Sequence, residues 1–149
     1  MTKLIGIAIK HNRRGLMKTL DNACITLDKG VESDFRGKPS NRQVTVLSRK
    51  VWQEVNAILK TDLPWTTRRA NLLVDDLELE NSAGKTISIG TVELLITRET
   101  DPCERMEEAA RGLYDALKPR WRGGVCCRVI REGQVQLGDE VILCDPSAS

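Results

Sequence analysis

Residues 4–9 and 23–27 carry apolar positions at the spacing of a strand, with alternation clearest over 23–27. A third strand is expected over 43–47, after a loop holding Gly37, Pro39 and Ser40. The period then changes. Val51, Val55, Ile58 and Leu59 recur at helical spacing after Ser48, a residue suited to an N-cap, which predicts an amphipathic helix over 49–60. Residues 61–69 show no period and contain Pro64, so they are read as an exposed polar loop. Short strands are expected over 72–74, 77–79, 86–89 and 92–97, with a turn at 81–84. A second helix places Met106, Ala109, Ala110, Leu113 and Leu117 on one face, and Pro119 stops it. Asp101 is its expected cap, Pro102 suits its first position, and Glu104 follows three residues after Asp101. Gly123-Gly124 then leads into a strand over 125–130, and residues 135–143 close the pattern with a bend at Gly138-Asp139. Many short strands and two helices predict a mainly β chain of the α+β kind, closed or nearly closed into a barrel.

Composition narrows this picture. A chain of 149 residues, 40% hydrophobic and 30% charged, fits one domain spanning 1–149. Aromatic residues are only 3%, so the core has to come from Val, Ile and Leu, which favours strands. No apolar run is long enough for a membrane helix, and residues 1–10 lack the hydrophobic stretch and cleavage site of a signal peptide. Five cysteines, an odd set with one adjacent pair, read as reduced thiols and hence a cytoplasmic protein. With a single histidine, His11, and no Cys-x-x-Cys, zinc is not expected. A net charge of +2 with few stacking aromatics argues against a nucleic-acid partner, although Arg68-Arg69 and Arg120 with Arg122 form local clusters able to hold one anion.

Cys103 is the leading chemical candidate. The capping pattern sets it at about the second helical position, where unpaired N–H groups and the helix dipole favour a thiolate able to act as nucleophile, sulfur carrier or soft-metal ligand. The competing reading is a small residue at a helix start. Cys126 and Cys127 alternate on one strand and so cannot serve one site together, while Cys24 and Cys144 read as small core residues. Arg68, Arg69 and Asn71 could hold a phosphate through guanidinium forks and an amide, or be solvated loop residues. Asp34, Arg36, Lys38 and Arg42 form a second charged loop whose simplest reading is a surface turn. His11 has no evident acidic partner.

Several segments, in order and over nearly the whole chain, resemble the MOSC family, named for the C-terminal domain of molybdenum cofactor sulfurase. Gly30-Val31-Glu32-Ser33-Asp34-Phe35-Arg36-Gly37 resembles the family's Gly-x-x-Gly-Asp loop, and Arg42-Gln43-Val44-Thr45-Val46-Leu47-Ser48 its following strand. Asn71-Leu72 is similar to the family's Glu-Asn-Leu step. Ile89-Gly90, Pro102-Cys103, Gly124-Val125-Cys126-Cys127-Arg128-Val129 and Gln136-Leu137-Gly138-Asp139-Glu140-Val141 complete the series. Ser33 stands in place of a glycine, Ala70 in place of a glutamate, and Phe35-Arg36 in place of Arg-His.

The resemblance implies a MOSC-type, β-barrel-like domain with Cys103 at its mouth, as a molybdenum ligand or a persulfide carrier. It implies a molybdenum–pterin cofactor (molybdopterin) as ligand, its phosphate held by Arg68, Arg69 and Asn71, with Asp34, Arg36 and Lys38 bordering the same mouth. If metal is bound, it implies reduction of N-hydroxylated compounds, as in the amidoxime-reducing relatives, with electrons from an external partner. A sulfur donor or acceptor protein is the other implied partner. Pyridoxal phosphate belongs to a separate domain of the sulfurases and is not expected here. The rival from another class is a binding or regulatory domain that keeps the fold without chemistry.

Overall fold

The computed structural model describes residues 1–146. Its strands are β1 (Leu4–Ile9), β2 (Lys18–Leu20), β3 (Asn22–Thr26), β4 (Gly30–Val31), β5 (Val44–Ser48), β6 (Leu72–Val74), β7 (Thr86–Ile89), β8 (Val92–Glu99), β9 (Val125–Arg131), β10 (Gly133–Gln136) and β11 (Val141–Cys144). The helices are α1 (Arg49–Leu59), α2 (Glu104–Ala109) and α3 (Leu113–Leu117). Eight strands form one sheet in the order β11-β7-β8-β9-β5-β6-β1-β2, and β10-β3-β4 form a second. All pairings are antiparallel except β5 with β6.

The mainly β reading holds, but the sheets do not close into a barrel. A single bridge, Lys3 to Glu140, ties the chain before β1 to the chain before β11. Leu4 N–H donates to the Asp139 carbonyl, Gly138 N–H to that of Leu4, and Val141 N–H to that of Thr2.

Strands β5 and β6 are buried on both faces, as parallel neighbours commonly are. Val46, Leu72 and Val74 point into a large cluster between the sheets with Leu4, Ile7 and Ile89. The alternate residues Leu47 and Leu73 point the other way, into a second cluster with Trp52, Val55, Met106, Leu113 and Leu117 from the helices. Each such fully buried aliphatic side chain contributes about 1.5–3 kcal/mol. The helical layer therefore anchors α2, and the loop before it, against the backs of β5 and β6.

Four expectations are corrected. Residues 77–79 are not a strand; Leu77 and Leu79 are buried between exposed acidic neighbours, which imitates strand alternation without pairing. The second helix is two, because Ala110 is extended and Gly112 sits at φ 87°, a left-handed value that glycine tolerates and other residues resist. The expected exposed loop contains a 3-10 turn, Trp65–Arg68, and Arg68 is buried. Ser48 precedes α1 in cap geometry, yet its buried hydroxyl makes no hydrogen bond. Strands β2 and β4 were too short to be read from period.

Candidate functional site

The end of β1, the loop 32–42, the turn Trp65–Arg68 and the start of α2 converge on one cleft of about 230 Å³. It brings together Cys103, Arg68, Arg69, Asn71, Asp34 and Arg36, all six singled out in the sequence. Lys38 is exposed and does not line it. Sequence reasoning missed Lys10, Arg13, Arg105 and Met17, and read Arg42 only as part of a surface turn. Lys10, Arg13 and Met17 come from the end of β1 and the chain after it, Arg42 from the loop before β5 and Arg105 from α2, segments whose basic residues look solvated in sequence.

Several of these side chains are committed to holding the cleft's shape. Arg68 lies 5% exposed, its guanidinium donating to the carbonyls of Gly123 at 3.0 Å and Thr100 at 2.9 Å. Gly123 permits this approach, because a Cβ there would lie 2.8 Å from the Arg68 guanidinium and 2.5 Å from the Thr100 carbonyl. The Asn71 amide accepts from Thr45 N–H and donates to the Ala8 carbonyl, joining β5 to β1. Asp34 accepts from the backbone N–H groups of Lys10 and Arg36 and so clamps its loop to the end of β1. The buried Gln43 amide donates to the Leu27 and Gly37 carbonyls and accepts from Val129 N–H, pinning the same loop to β9.

The cleft is strongly positive. Seven cationic residues line it against one carboxylate, that of Asp34. Burial, with Arg69 and Arg36 close by, pushes Lys10 down to about 8. Burial and the facing Arg42 bring Arg68 down to about 10, partly offset by Cys103, Cys126 and Asp101. Arg36 is lowered by burial and by Arg42, Arg13 and Arg105, and Arg69 by burial and Arg105. The buried Nε atoms of Arg42 and Arg69 have no hydrogen-bond partner. Buried donors without acceptors are costly, and a cluster of them beside like charges is what an anion-binding wall looks like.

Cys103 is exposed at the edge of this cleft. It is the N-cap of α2, with φ −123° and ψ 173°, and not a residue of the helix's first turn. The expected cap Asp101 lies two residues earlier. Because α2 has only six residues, few aligned peptides contribute a dipole. The positive surroundings of the thiol come from the cleft's side chains instead. Cys126 and Cys127 are both fully buried, and burial pushes the Cys127 thiol up. Cys24 and Cys144 are half-buried on their strands and are not full core residues. Among the described residues no group of three or more His, Cys, Asp or Glu side chains could hold a metal. Among the same residues no helix is long and apolar enough to cross a membrane.

The family model for the MOSC domain matches residues 32–142. Among solved structures, the YuaD protein of Bacillus subtilis superposes with a TM-score of 0.83 at 20% identity, over 99% of this chain and 98% of that one. YiiM from Geobacillus stearothermophilus gives 0.78 at 12% identity over 97% and 76%. YiiM from Escherichia coli gives 0.72 at 15% over 99% and 72%. At these identities the likeness establishes the fold. No curated protein matches the sequence.

Proposed function

Because the chain belongs to the MOSC domain family, we propose that it binds a molybdenum–pterin cofactor, or receives and delivers sulfur for it, through Cys103. The observation that carries this reading is an exposed thiol opening onto a cleft whose cations outnumber its acids seven to one. The residues fit such a ligand on two counts: a single soft donor for the metal, and buried N–H donors at Arg42 and Arg69 that lack an acceptor. When bound, the cofactor supplies a redox-active metal and a transferable sulfur ligand.

The chain's residues then divide into two roles. Arg69, Arg42, Arg36 and Lys10 hold the anionic groups, while Arg68, Asn71 and Asp34 keep the walls in place through backbone contacts. For sulfur carriage, the Cys103 thiolate attacks the outer sulfur of a donor protein's persulfide. The donor's S–S bond breaks, its thiolate leaves, and the sulfur stays on Cys103. With metal bound and an external electron donor, the same site would serve reduction of N-hydroxylated compounds.

Elemental analysis tests the reading, on protein purified from a host that makes the cofactor and on Cys103→Ser. Molybdenum in the first and not in the second is the expected result for cofactor binding. Cyanide-labile sulfur on the first and not the second is the expected result for sulfur carriage. Neither metal nor labile sulfur, with a Cys103 that alkylates no faster than free cysteine, would overturn it and leave a binding domain without thiol chemistry.

A further inference from the structure

The cleft's positive charge is unevenly used. On one side the guanidiniums already bond to protein carbonyls: Arg68 to Gly123 and Thr100, Arg69 to Gly15, and Arg105 to Arg13. On the other side the side chains of Arg13, Arg36 and Arg42 have no hydrogen bond or ion pair among the described residues, and Lys10 has one neutral acceptor, the Arg13 carbonyl. All four belong to the end of β1 and the loops at 11–14 and 32–42. They face one another closely enough that Arg42 and Arg13 each oppose the charge on Arg36, and Arg36 opposes that on Lys10.

A phosphate monoester brings about −2 of charge at neutral pH and three acceptor oxygens. Three free guanidiniums and an ammonium exceed that in both charge and donors, since each guanidinium alone presents five N–H groups in a fork suited to phosphate. We infer that the cleft is built for a ligand carrying two adjacent phosphoryl groups, the second of them held by Arg13, Arg36 and Arg42. This deepens the anion-binding part of the proposal above and rests on it. The second phosphoryl group bonds to the loop wall that the Cys103 side does not reach, so one ligand spans the cleft. Asp34, the one acid present, favours the charged forms of Lys10 and Arg36 and so offsets only one of the four positive charges, while both its oxygens are engaged by backbone N–H groups.

Calorimetric titration of the full chain with inorganic pyrophosphate and, separately, inorganic phosphate at pH 7 tests this. Pyrophosphate should bind at least about tenfold more tightly, a preference that falls below about threefold in Arg36→Gln/Arg42→Gln. Circular dichroism of the double variant should be unchanged, since neither side chain makes a contact the fold uses. Equal affinities overturn the inference, as does a preference that survives in the double variant. Equal affinities together with Cys103-dependent molybdenum remove this inference alone. A pyrophosphate preference without molybdenum or labile sulfur removes the cofactor reading and leaves the two-phosphoryl site standing.

Discussion

Ser33 holds its backbone at φ 72°, a left-handed conformation that costs an L-residue roughly 1–2 kcal/mol and glycine almost nothing. Ser33→Gly should therefore stabilise the chain by about 0.5–1 kcal/mol after the glycine's larger loss of freedom on folding is subtracted, as urea denaturation would show. Lys10 makes a second residue-level prediction. Its folded value, about 8, lies below its ordinary value of 10.5, so between these pH values the unfolded chain binds more protons than the folded one. Stability from this group accordingly rises with pH through that window, and the cost of keeping it charged is fully present below it. Thermal melts of Lys10→Met against the parent chain should show the variant's advantage shrinking from pH 7 to pH 10 in anion-free buffer. Anion binding runs the other way and should weaken as pH rises through about 8. The thiols sort by burial: iodoacetamide at neutral pH should label Cys103 first, with Cys126 and Cys127 silent until the chain is unfolded.

Two arginines of the same cleft show what an element adds. Arg68 closes the turn Trp65–Arg68 against the Gly123 and Thr100 carbonyls, and its removal leaves those buried acceptors unpaired. Arg68→Ala should cost about 2–4 kcal/mol, whereas Arg36→Gln, which sheds more repulsion from Arg42, Arg13 and Arg105 than attraction to Asp34, should be neutral or slightly stabilising in the same chemical denaturation series. Sequence alone could not separate the two, since both read as loop arginines. The strands over 86–89 and 92–97 were legible because each buries alternate side chains, and 4–9 because its apolar residues run through a strand buried along almost its whole length. Leu77 and Leu79 showed the same alternation without a partner strand, and pairing is a property that no local pattern carries. The break between α2 and α3 had its signal in Gly112, masked by the continuous apolar face from Met106 to Leu117. At the site, Cys103 and the Arg68-Arg69-Asn71 step were visible as compact motifs. Lys10, Arg13 and Arg105 were not, because only the folded sheet brings the end of β1 and the start of α2 to the same opening.

At the scale of the whole molecule, a net charge of +2 conceals a strongly polarised distribution, with much of the positive charge turned into one cleft. Any anion that binds there binds the folded chain alone, so it should raise the melting temperature in proportion to the logarithm of its concentration over its dissociation constant. Saturation at about a hundredfold excess over that constant contributes about 2.7 kcal/mol, and calorimetric melts in phosphate and in chloride at matched ionic strength would reveal it. The Lys3–Glu140 bridge has a different kind of consequence. Residues 2–4 complete their hydrogen bonding only with residues 138–141, so β1 depends on a partner far along the chain. Refolding has to close this long loop before β1 gains its full set of partners. Folding should thus be slow for a chain of this length, with the β1 margin the final part to form and the first to open.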